Sequence, residues 1–171
     1  GDYVTFPGAD DKVLPGFFEK SIKLFYLNPR AGLCSGLSLL EEEGKDMGIF
    51  PSPIISKEER YFTPQEVVSA FLRYGNWFMA HSAIYRRDLV LEAGGYPLAL
   101  DGSGDSYLFH VLSVKYGACF IPEPLAVWRR SPSRTANSQK ARGIGFEESL
   151  KMIELGVWTL VSSPHAPDFP Q

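Results

Sequence analysis

The chain has 171 residues, 44% of them hydrophobic and 22% charged, which places it among globular domains and excludes a disordered tail or a collagen-like fibre. Its formal net charge is −3, so the basic footprint of a nucleic-acid binder is missing, and no nucleic-acid partner is expected. Two cysteines, Cys34 and Cys119, are too few for a disulfide framework and lack zinc-ligand spacing; they read as small core residues in a reducing compartment. No apolar run reaches the ~18 residues of a membrane span.

Residues 2–6 (Asp-Tyr-Val-Thr-Phe) read as a strand broken by Pro7-Gly8. The chain opens inside this strand and without Met, and a piece of a longer protein is expected. Asp10 and Asp11 fall on the loop beyond. Pro15 then opens a helix whose apolar face is Phe17, Phe18, Ile22, Phe25 and Tyr26, stopped by Asn28-Pro29. Residues 31–40 are apolar and small, a strand running into the acidic turn Glu41–Asp46. Residues 47–62, with Pro51 and Pro53, read as a long loop.

Thr63-Pro-Gln-Glu66 carries a capping box with proline at the first helical position, and predicts a helix to about Tyr74 with Gly75 as its stop. Phe78–Tyr85 is a strand candidate, Asp88–Ala93 a short helix, and Asp105–Tyr116 a second clear helix stopped by Gly117. Ala118–Ile121 and Leu125–Trp128 read as two short strands around Pro122 and Pro124. A last helix is predicted over Phe146 to about Val161, followed by a Pro-rich tail. Strands alternating with helices predict an α/β layer fold. The division expected is a domain over 1–135 and a helix with tail over 136–171.

Three features carry chemistry. Asp10-Asp11 at a strand end offers hard oxygen ligands for Mg2+ or Mn2+, or else a helix cap. Asp105, after Gly-Ser-Gly, is either an N-cap or a carboxylate able to take a proton from a hydroxyl. Between Pro124 and Phe146 stand Arg129, Arg130, Arg134, Lys140 and Arg142 with no acidic residue, either a clamp for a diphosphate or a basic surface touching anionic lipid. Trp77 stacks on a sugar or packs in the core. His81, inside an apolar run, is more often a satisfied core histidine than a ligand.

In order, Gly1-Asp-Tyr-Val-Thr-Phe-Pro-Gly-Ala-Asp10-Asp11 with Leu14-Pro-Gly-Phe17, then Gly75-Asn-Trp77 with His81-Ser-Ala-Ile-Tyr-Arg86-Arg87, Ala93-Gly-Gly-Tyr-Pro97, Asp105, and Tyr116-Gly-Ala-Cys-Phe-Ile-Pro-Glu-Pro-Leu-Ala-Val-Trp-Arg129 resemble the family 2 glycosyltransferases of GT-A fold. The resemblance covers about residues 1–135. It implies a partial GT-A fold, a mixed sheet flanked by helices, lacking the N-terminal nucleotide-binding half. It also implies an inverting transferase that moves a sugar from a nucleotide-diphosphate donor to a glycan or lipid-linked acceptor, in the cytoplasm or at the inner face of the membrane.

By the same resemblance, Asp10 and Asp11 would hold the metal, and Asp105 would be the general base. Trp77, His81, Arg129 and Arg130 would bind substrate. Three positions depart from the family pattern: Gly8 stands for the first Asp of the metal motif, Gly104 for the Glu before the catalytic Asp, and Ser131 for a His after the closing Arg. These departures favour a second reading, a non-catalytic glycosyltransferase-like binding module. A metal-dependent phosphohydrolase is a further rival, for which His81, His110 and His165 are too scattered. Half of a sheet leaves an open edge, so self-association is expected.

Overall fold

A computed structural model of the chain describes residues 1–97 and 104–130. The helix expected over 146–161, the Pro-rich tail, Ser131, Arg134, Lys140, Arg142 and His165 lie outside the described residues. The elements in chain order are β1 (Tyr3–Val4), β2 (Lys12–Val13), α1 (Phe17–Leu27), β3 (Leu33–Glu42), β4 (Lys45–Ile49) and β5 (Arg60–Phe62). There follow α2 (Pro64–Tyr74), a 3-10 turn at Ala80–Ser82, β6 (Ala83–Arg86), α3 (Arg87–Glu92), α4 (Gly104–Tyr116) and β7 (Ala118–Arg130).

The protein is mixed α/β, with one seven-stranded sheet flanked by helices. The sheet runs β1-β6-β3-β7-β2, with β4 paired to β3 and β5 to β7. Among the described residues only the central pair β3–β7 is parallel. Alternate residues of that pair feed opposite layers, as the two-residue period of a strand requires. Leu33, Leu37, Ala118 and Phe120 pack toward α2 and α4. Cys34, Cys119, Ile121 and Leu125 pack against Phe17, Leu24 and Phe25 of α1. The sheet is therefore covered by helices on both faces, and its middle strands are apolar almost throughout.

Several boundaries differ from the sequence reading. Pro15 lies outside α1, which begins at Phe17 after a left-handed Gly16 (φ 89°). Between the aspartate loop and that helix the chain forms β2, whose Lys12 and Val13 pair with Val127 and Ala126. The acidic run Glu41–Asp46 is a β-hairpin rather than a loose turn. Glu43 and Gly44 both have positive φ (49° and 81°), the geometry of a two-residue type I′ connection.

The segment 47–62 ends β4 and holds β5, so it is only partly loop. The two short strands expected around Pro122 and Pro124 are one strand, β7, with a bulge. Register against β3 shifts on either side of Leu37, where prolines cannot donate to the ladder. Gly36 permits this, because a Cβ there would stand 2.6 Å from Leu125 and 3.1 Å from the Glu123 carbonyl oxygen. The helix over 64–74 forms with the predicted capping box and Gly75 stop.

The strand expected over 78–85 is confined to its end. Met79–Ser82 instead curl into the 3-10 turn, pinned by the Ser82 hydroxyl donating to the Gly36 carbonyl at 2.7 Å. That curl turns His81 toward the aspartate loop.

Candidate functional site

The loop between β1 and β2 is fastened through Asp11. Its side chain is 7% exposed. Its Oδ2 accepts the Gly8 N–H at 2.9 Å, and its Oδ1 accepts the Arg129 N–H of β7 at 3.1 Å. His81 Nδ1 lies 3.9 Å from Asp11 Oδ2. The structure thus brings three of the expected residues, Asp11, His81 and Arg129, into one cluster. Neither aspartate caps α1, since β2 and Gly16 intervene. Asp10 is half-buried beside Asp11.

His81 is 6% exposed, and its Nε2 has no hydrogen-bond partner among the described residues. Burial lowers its basicity; the Asp11 charge opposes this and does not prevail.

Arg129 and Arg130 both lie at the end of β7, opposite Glu41 and Glu42 of β3. Arg129 Nε stands 2.9 Å from Glu41 Oε1, and Lys12 reaches the same carboxylate at 3.5 Å. Arg130 pairs with Glu42. The acidic and basic runs, far apart in sequence, are therefore cross-strand partners in register. Each arginine proposed for a diphosphate already has a carboxylate on it. Sequence reading missed this because register cannot be read before the strands are known to pair.

Asp105 sits in the first turn of α4, one residue inside its start at Gly104. Its Oδ1 accepts the Ser106 N–H at 2.6 Å. Burial raises its pKa, against the hydrogen bonds at Ser106 that favour the anion. Its field in turn reaches Tyr85 of β6, whose phenol is held well above its ordinary value by burial and then by the Asp105 charge. Tyr85 is 0% exposed with its hydroxyl unpartnered among the described residues. The sequence signal for it, a tyrosine ending an apolar strand, was indistinguishable from core.

Asp11 and Asp105 thus flank the same stretch of chain, one touching His81 and the other acting on Tyr85. Four residues of extended backbone span at most about 13 Å. The Tyr85 ring also meets Phe6, which leads into the aspartate loop, at 5.6 Å.

Trp77 departs from the acceptor-side place expected of it. It is 1% exposed, enclosed by Phe62, Phe71, Phe109 and Phe120. A ring closed on all sides offers no face to a sugar, and its role is packing. Cys34 and Cys119 are buried register partners, their thiols made less acidic by burial, Cys119 up to about 12.

The two glycine departures have packing reasons. A Cβ on Gly8 would stand 2.8 Å from Asp11 Oδ2, the oxygen its N–H binds. A Cβ on Gly104 would stand 2.6 Å from the Tyr96 ring, which packs on Phe6 at 5.2 Å.

The donors for a divalent ion are thin. Both Asp11 oxygens are taken by backbone N–H groups, and no group of three Asp, Glu, His or Cys side chains suited to a metal occurs among the described residues. Asp10 and Asp11 are the residues that would hold Mg2+ or Mn2+ at this loop, and each Asp11 oxygen keeps a lone pair beyond the N–H it accepts. No helix among the described residues is long and apolar enough to cross a membrane. Compared with known proteins, the chain matches no family model and no curated protein.

Proposed function

We propose that this chain is the acceptor-side part of an inverting glycosyltransferase of GT-A fold, with Asp105 as general base. The observation that supports this most is that Asp11 lies 3.9 Å from His81 while the Asp105 charge acts on Tyr85, four residues further along the same short stretch. A carboxylate whose pKa is raised by burial is also the better proton acceptor, because it holds the proton more firmly once taken.

In this reading the acceptor hydroxyl gives its proton to an Asp105 oxygen. The hydroxyl oxygen attacks the anomeric carbon of the donor from the face opposite the diphosphate, and the bond from that carbon to the diphosphate breaks. Charge gathers on the diphosphate as it leaves. Arg129 or Arg130 would meet that charge by exchanging Glu41 or Glu42 for a phosphate, since both carboxylates and phosphates accept the two parallel N–H groups of a guanidinium. Asp11 holds the loop to β7 and so keeps this stretch in shape. No step is routed through a metal. Mg2+ or Mn2+, when bound, would be held by Asp10 and Asp11 and would supply positive charge at the donor's diphosphate. A nucleotide-diphosphate sugar, a glycan or lipid-linked acceptor and a place at the inner face of the membrane belong to the same proposal.

Changing Asp105→Asn in the complete gene product should lower sugar transfer about 10²–10⁴-fold with donor binding unchanged. Unaltered transfer would remove the assignment. A second reading, a non-catalytic binding module, draws on Gly8 and Gly104, where a family carboxylate would collide with Asp11 or Tyr96. Transfer or donor hydrolysis by the complete product, with or without Mn2+, would dispose of it.

A further inference from the structure

Where the end of α1 meets β1 and β6, a cleft of about 220 Å³ is lined by Tyr3, Phe25, Tyr26, Pro29 and Arg86. Phe25 is buried, and the Tyr3 ring packs on it with centroids 4.9 Å apart, inclined by 32°. Tyr26 is 83% exposed, so its ring stands open to solvent. The Arg86 guanidinium is held in place. It donates to both Asp88 carboxylate oxygens, at 3.2 and 2.5 Å, and to the Pro29 carbonyl at 2.6 Å.

Pockets for whole cofactors or drug-sized ligands run to roughly 300–1,000 Å³, so this cleft takes one or two rings at a time. The Arg86 charge is already met by Asp88, which removes the main reason for an anion to settle here. What remains is aromatic surface, with phenol hydroxyls and guanidinium N–H groups as donors. The outer side of α1 continues this surface. Phe17, Leu24 and Phe25 pack toward the sheet, yet Phe18 and Leu27 are 47% and 67% exposed. A helix apolar on its outer side as well calls for a cover there.

The sequence holds a ligand of matching chemistry. Pro164, Pro167 and Pro170 recur at every third position. A polyproline II helix has three residues per turn, so that spacing sets three proline rings along one edge and leaves the backbone carbonyls without internal partners. Aromatic side chains take such rings, and donors beside them take the carbonyls. We propose that residues 163–171 dock as a polyproline II segment in the Tyr3–Tyr26 cleft of their own chain, with proline rings against Tyr26 and Tyr3. Reach favours this: the chain between Arg130 and Pro164 extends over as much as about 110 Å, far more than the radius of a domain this size. Tethering also sets an effective concentration in the millimolar range, well above that of a second copy in dilute solution. The inference does not depend on the transferase reading.

The test is paramagnetic broadening in the full chain, nitrogen-15 labelled, with a nitroxide on Ser162→Cys. Cys34 and Cys119 are fully buried and do not compete for the reagent. The amides of Tyr3, Phe25, Tyr26 and Arg86 should broaden at least about twofold more than those of β4, which pairs with the opposite end of β3 from β6. The difference should persist when the labelled protein is diluted into an excess of unlabelled, nitroxide-free protein. Replacing the three prolines together (Pro164→Ala, Pro167→Ala and Pro170→Ala) should abolish it. Tyr26→Ala should do the same without cost to the fold, because that ring is exposed, and Tyr26→Phe should keep most of it. Uniform broadening, or selective broadening indifferent to the prolines or to Tyr26→Ala, would overturn the proposal. Broadening lost on dilution would place the segment on a second copy and overturn docking within the chain.

Discussion

At the scale of single residues, Asp105 is the position where stability and the proposed activity oppose each other. Its folded-state pKa is raised, burial being the largest cause. For such a group the favourable contribution is fully present below the unfolded pKa and is lost as pH rises through the folded value. At pH 7 the anion is therefore a net cost to the fold. Asn keeps an oxygen for the Ser106 N–H and removes the charge, so Asp105→Asn should raise Tm by about 2 °C at pH 7. The gain should shrink as pH falls toward the unfolded carboxylate range near 4, where both proteins are neutral at this position. Thermal melts of the two proteins between pH 3 and 8 check this; a gain that grows on acidification would contradict it. A stabilising loss of charge at Asp105 fits the trade-off between stability and activity that its proposed role entails.

Residue types and order are legible at this scale: Asp11, His81 and Arg129 all stand out in the sequence. What stayed hidden was their engagement. Nothing in the sequence says that Arg129 offers its backbone N–H to Asp11 while its side chain turns to Glu41, because both contacts depend on where β7 lies relative to β3. Trp77 and Trp128 show the same limit from the other side. Only packing tells that the first is enclosed and the second half-buried at the end of β7.

At the scale of elements, legibility followed how local the causes are. The capping box of α2 is written in four consecutive residues, and it forms: the Thr63 hydroxyl accepts the Glu66 N–H at 3.3 Å and the Glu66 carboxylate accepts the Thr63 N–H at 2.8 Å. Burial alone would raise the Glu66 pKa, but these bonds and the nearby Arg60 outweigh it and hold it below the usual range. The β3–β4 hairpin, by contrast, was hidden by its composition. Glu-Gly is not the Asn-Gly or Asp-Gly that announces a type I′ turn, and Glu43 sits at φ 49° where a β-carbon is crowded. Asn tolerates that region and keeps the N–H that Glu43 donates to the Arg130 carbonyl at 3.4 Å. Glu43→Asn should therefore stabilise the protein by about 1 kcal/mol, roughly 3 °C in Tm. An unchanged or lower melting temperature would mean that the turn does not hold this geometry in solution.

At the scale of the molecule, the open sheet edge expected from the sequence takes a particular form. The strands at the two ends of the main path, β1 and β2, are two residues long, so each offers little ladder to a neighbouring chain. Among the described residues the longer unpaired edge belongs to β4, every residue of which is exposed. That strand and the segment after it carry Met47, Ile49 and Ile54, all more than half exposed. Apolar side chains on an unpaired strand are where copies of the chain would meet, while the β1 and β2 edges are too short to drive exchange. Gly48, at φ 81°, interrupts the extended backbone and limits how far such pairing can run. The association is therefore expected to be weak, seen at hundreds of micromolar rather than at nanomolar concentration. Light scattering should give a mass that rises with concentration, and Met47→Glu with Ile49→Lys should return it to the monomer. Mutations in β1 or β2 that leave the fold intact should have little effect. A mass independent of concentration up to millimolar would show that the hairpin edge is not sticky. A concentration-dependent mass indifferent to Met47 and Ile49 would place the contact elsewhere.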